Sequence, residues 1–95
     1  MYIVLLTYTA PLEQIDRHAP AHRAWLATCY GDGIFLASGP QQPRTGGAIL
    51  AHGVTRAELD ARLAQDPFAQ AGVASYQVVT VAVRIADPRL EFLVE

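Results

Sequence analysis

Two stretches near the ends of the chain read as strands that lack a polar face, and this limits the folds open to it more than any other feature. Residues 2–9 are rich in β-branched, Leu and Tyr side chains and stop at Thr9-Ala10-Pro11, where proline ends a ladder. Residues 76–85 set Gln77, Val79, Val81, Val83 and Ile85 against Tyr76, Val78, Thr80, Ala82 and Arg84, so apolar groups occupy both sides. An antiparallel sheet with one face in water alternates apolar with polar residues. A sheet built on these strands therefore needs cover on both faces.

The intervening residues supply the other elements. Pro20 suits the first position of a helix running to about Tyr30 and stopping at Gly31-Asp32-Gly33, with residues 12–18 forming a short turn before it. Residues 34–38 and 48–52 are short apolar runs, separated by Gly39-Pro40 and the turn Arg44-Thr45-Gly46-Gly47, and read as a hairpin. Thr55-Arg56-Ala57-Glu58 has the form of a capping box, with Val54 placed to staple onto Leu59. This second helix is expected to end near Asp66-Pro67, because a residue preceding proline is pushed out of helical geometry, and residues 68–75 then connect to the last strand.

The order is βαββαβ, an α+β chain of ferredoxin-like, split βαβ topology: a four-stranded antiparallel sheet with two helices on one face. Its 95 residues suit a single domain spanning 1–95, small enough that extra burial is needed for stability. Two helices cover one sheet face, so the other is expected to meet a second copy, giving a homodimer. The tail Leu90-Glu91-Phe92-Leu93-Val94 is expected to join that interface. The plainer alternative is that the β-branched residues only satisfy strand propensity.

Composition narrows the partners. The charge is −2, with seven arginines and no lysine spread along the chain, which is not the clustered basic footprint that nucleic acid attracts. The opening Met1-Tyr2-Ile3-Val4-Leu5-Leu6-Thr7-Tyr8 has no basic flank and is too short to span a bilayer. Cys29 is the only cysteine, so neither a disulfide framework nor a thiolate cluster is expected, and the cytoplasm is the default location.

Two polar residues interrupt apolar stripes. His22 shares a helix face with Trp25, Leu26 and Cys29, and Asp66 continues the Leu59, Leu63 line of the second helix. Helix one runs down the sheet and helix two runs back, so His22 and Asp66 should meet at one end of it. Tyr8, Ser38, Gly39, Pro40 and the loop through Gly47 should gather there as a pocket. A carboxylate beside an imidazole fixes its tautomer and leaves the other nitrogen to exchange a proton with a ligand, so that Asp66 orients and His22 acts. The alternative is an interhelical hydrogen bond that merely satisfies two buried polar groups.

Other side chains carry weaker signals. His18 and His22 have the spacing of a helical metal pair, with His52 as a third ligand, but Pro20 between them argues against a continuous helix, and no metal is expected. Arg44 could clamp a substrate carboxylate or be a solvated turn residue. Tyr8 could reach the pocket rim and Trp25 could wall it, although both also suit core packing, and Cys29 reads as packing rather than nucleophile.

Taken together, the Val4-Leu5-Leu6-Thr7-Tyr8 strand, Pro20-Ala21-His22, Ala37-Ser38-Gly39-Pro40, Arg44-Thr45-Gly46-Gly47 and Asp66-Pro67-Phe68 resemble the YciI-like, or YCII-related, family of the dimeric α/β-barrel superfamily. The similarity spans nearly the whole chain. It implies an active site with a histidine and an aspartate, which fall on His22 and Asp66 near Ser38-Gly39-Pro40. It also implies cofactor-free elimination or isomerisation of a small quinone-like or lactone-like molecule. A non-catalytic binding or dimeric accessory module is the alternative, since fold does not settle function.

Overall fold

A computed structural model describes residues 1–95 as β1 (Tyr2–Tyr8), α1 (Leu12–Gly31), β2 (Phe35–Pro40), β3 (Gly46–Ala51), α2 (Arg56–Ala64), a short α3 (Pro67–Gln70) and β4 (Ala74–Thr80), closed by a 3-10 turn over Pro88–Leu93. The strands form one sheet in the order β2-β3-β1-β4, and every neighbouring pair is antiparallel. This is the ferredoxin-like arrangement. Val4, Leu6, Ile49 and Ala51 point from the central strands toward the helices, where they pack with Ile15, Trp25, Cys29, Leu59, Leu63 and Phe68 in one core. No helix is long and apolar enough to cross a membrane.

Helix α1 begins eight residues earlier than the sequence suggests, and Pro20 lies inside it rather than at its start. An interior proline costs roughly 3 kcal/mol by removing a donor and crowding the preceding turn. Burial of Ile15 offsets much of this, since fully burying an aliphatic side chain yields about 1.5–3 kcal/mol. Ile15, Ala19, His22 and Leu26 then form one continuous stripe, so the proline-spanning half of α1 supplies a wall of the site rather than a turn.

Thr55 caps α2 by accepting from the Glu58 amide at 3.1 Å. The helix stops at Ala64, and Asp66 belongs to the next element, where it caps α3 with Pro67 in the first turn. The stretch expected to be a plain connection is therefore partly helical, and this swings Phe68 into the core.

Strand β4 is shorter than the apolar run 76–85. Val81 exchanges hydrogen bonds with Met1, and the β1–β4 ladder extends no further than Tyr2–Thr80. The chain runs on outside the sheet, leaving Ile85 92% exposed. At the opposite end, β1 and β3 approach so closely that a Cβ on Gly46 would stand 1.8 Å from the Leu6 carbonyl oxygen. Only glycine permits the Thr7–Gly46 pairing that sets the pocket end of the sheet.

Candidate active site

The Asp66 side chain is fully buried, at 0% exposure, and both of its oxygens are in use. Oδ1 accepts from the Phe68 amide at 3.0 Å and meets His22 Nδ1 at 2.7 Å, while Oδ2 accepts from the Tyr76 hydroxyl at 2.5 Å. A carboxylate can only accept in such a network, which makes Nδ1 of His22 the donor and leaves Nε2 as the nitrogen available to a ligand. Three donors converging on one buried carboxylate satisfy a group that would otherwise be costly to desolvate.

Packing fixes the imidazole further. It stacks on Phe68 with ring centroids 4.0 Å apart and planes 11° from parallel, and Trp25 lies 5.7 Å away on another side. The ring is 15% exposed, and that exposure opens into a pocket of about 290 Å³. Tyr8, Ser38, Gly39, Pro40 and Arg44, the residues expected around a ligand, all line this pocket with His22. Asp66 stands behind the imidazole and does not reach the pocket surface.

The loop between β2 and β3 is held from two sides. The Gln41 amide donates to the carbonyls of Gly47 at 3.0 Å and Leu6 at 3.4 Å, and Arg44 donates to Asp16 of α1 at 2.6 Å. Ser38 shares a hydrogen bond of 2.7 Å with the Tyr30 hydroxyl. Tyr8 meets Phe68 edge-on at 6.2 Å, so the rim aromatic braces the ring on which His22 is stacked.

A match to the YCII-related domain covers residues 1–82. The chain belongs to that family. Among solved structures, a similar one is the 5-chloro-2-hydroxyhydroquinone dehydrochlorinase from Burkholderia phenoliruptrix AC1100, in complex with 2,5-dihydroxybenzoquinone, at 21% identity and a TM-score of 0.66. The likeness covers 85% of this chain and 93% of that one, and it bears on the fold. No curated protein matches the chain.

In this YCII-related chain, several residues around the site escape sequence reasoning. Ile15, Ala19 and Arg23 line the pocket because α1 continues through Pro20. Phe68 does so because of α3, whose signal was present as an aspartate cap followed by proline. Strand alternation sets Tyr76 on one face but carries no sign that its hydroxyl reaches Asp66.

Other candidates lie elsewhere. Trp25 packs between His22 and Phe35 in the core and is not a pocket wall. The Cys29 thiol is buried, and burial pushes its pKa up, which suits packing. His18 and His22 do share a continuous helix, correcting the expected break, but His52 packs on Phe92 and no three potential ligands cluster.

Burial first, and the hydrogen bond to Asp66 second, push the Tyr76 phenol well above its ordinary range. The folded state thus favours the neutral phenol. Its contribution to stability is complete below the unfolded phenol pKa of about 10 and is lost as pH rises beyond it. Urea titrations of wild type should show falling stability above about pH 10, and Tyr76→Phe should flatten that limb. A limb of equal slope in the variant would place its origin elsewhere.

Proposed function

We propose that the chain is a cofactor-independent enzyme that moves a proton on a small cyclic or aromatic metabolite, with His22 as general acid and base and Asp66 as its orienting partner. One observation carries this reading: a pocket-facing imidazole has one nitrogen held at 2.7 Å by a fully buried carboxylate, which leaves the other for a ligand. Nε2 takes a proton from a ring O–H or C–H, and Asp66 stabilises the imidazolium that forms. Elimination then expels an anion from the ring, whereas isomerisation returns the same proton to another carbon.

The pocket volume of about 290 Å³ sits at the small end of ligand sites and suits a single ring. The fold neighbour's action on a chlorinated hydroxyhydroquinone, and its complex with a quinone, lend support to aromatic substrates. The test is turnover of a panel of halogenated hydroxyhydroquinones and unsaturated lactones, followed by ring absorbance and halide release. Turnover above the buffer rate is expected for at least one compound. Saturable binding across the panel without turnover would instead favour a non-catalytic metabolite-binding module.

A second copy of the chain fits the open sheet face as partner. Ile3 and Leu5 lie there with Leu50 and Val79, which are 36% and 38% exposed, on the side away from the helices. The exposed Leu90 and Phe92 of the tail add to the apolar surface available for pairing. Sedimentation at micromolar concentration should return twice the chain mass, and a monomer would remove this part of the proposal.

A further inference from the structure

The pocket wall has an uneven charge pattern. No aspartate or glutamate lines it, yet two arginines do, Arg23 and Arg44. Arg44 is already engaged, donating to Asp16 at 2.6 Å. Arg23 takes part in no ion pair. It follows His22 directly on α1, and consecutive helical side chains diverge by about 100°. Arg23 is exposed and lines the pocket next to the mostly covered His22 ring, which puts this residue at the pocket mouth on the acid–base side.

We propose that Arg23 anchors a single carboxylate on the ring of the ligand, making this a site for small cyclic or aromatic monocarboxylates. The inference rests on the reading of this pocket as the substrate site. A guanidinium presents a planar fork of donors that matches a carboxylate in two parallel hydrogen bonds. With Arg44 offset by Asp16, the rim carries one uncompensated positive charge, which matches a monoanion better than a phosphate dianion. Such an anchor also fixes which ring edge faces His22, because the two side chains leave adjacent positions of a rigid helix. The competing view is that Arg23 is an ordinary solvated arginine with no bearing on ligand choice.

Calorimetric titration of the full chain decides between them, with 2,5-dihydroxybenzoate, its methyl ester and phenyl phosphate as probes. The acid should bind about tenfold more tightly than the ester, a size suited to one charge-assisted pair at a partly solvated rim. Arg23→Gln should erase that preference while leaving ester affinity and thermal stability unchanged. Equal affinity of acid and ester for wild type, a preference that survives Arg23→Gln, tighter binding of phenyl phosphate, or binding of none of the probes each overturns the proposal. Repeating the titrations on His22→Asn keeps the two readings separate. The acid preference should persist there, so a failed turnover assay speaks against His22 and a lost preference speaks against Arg23.

Discussion

His22→Asn is expected to lower turnover by about 10²–10⁴-fold, the usual contribution of a positioned acid–base group, while the protein stays folded. Asparagine is chosen because its amide nitrogen falls close to the position of Nδ1 and can still donate to Asp66 Oδ1, which His22 meets at 2.7 Å. What it lacks is Nε2 and the ring stacked 4.0 Å from Phe68. The lost stacking should cost about 0.5–1.5 kcal/mol, too little to unfold a domain. The rate loss should appear in kcat more than in KM, because the proton is transferred in the transition state. A variant with kcat within threefold of wild type would show that His22 is not the proton-transfer group.

Much of this arrangement is legible in the residues, and the limits have physical causes. The opposed directions of α1 and α2 bring His22 and Asp66 to one side of the sheet, but His22 stands in the middle of α1 rather than at its start, and Asp66 caps α3 rather than ending α2. The extent of α1 was hidden because proline is usually a boundary, and only tertiary burial of Ile15 and Ala19 makes an interior Pro20 tolerable. Pocket residues on that stretch were hidden with it. Val81, Val83 and Ile85 keep strand periodicity, but alternation does not show whether a neighbouring strand lies alongside, and β4 pairs with β1 only as far as Thr80. Alternation placed Tyr76 on a face without indicating what its hydroxyl reaches, because the carboxylate comes from a short helix that periodicity does not resolve.

Asp66→Ala is expected to destabilise the fold by about 3–5 kcal/mol, the cost of removing one member of a buried charged network. Three donors lose their acceptor at once: the Phe68 amide, His22 Nδ1 and the Tyr76 hydroxyl. The cap of α3 goes with them, and so does the link that ties α1, α3 and β4 together beside the pocket. Asp66→Asn separates that structural role from the electrostatic one. Its carbonyl oxygen can replace Oδ1 toward Phe68 and His22, and its NH₂ can donate to a Tyr76 hydroxyl that turns to accept, so urea midpoints should fall far less than for alanine. Turnover should nonetheless drop by about 10²–10⁴-fold, because a neutral amide does not stabilise the imidazolium that proton transfer creates. If the asparagine variant retains wild-type kcat, the carboxylate serves the fold alone. If alanine leaves the urea midpoint unchanged, the three-donor network is not what holds the pocket end of the chain together.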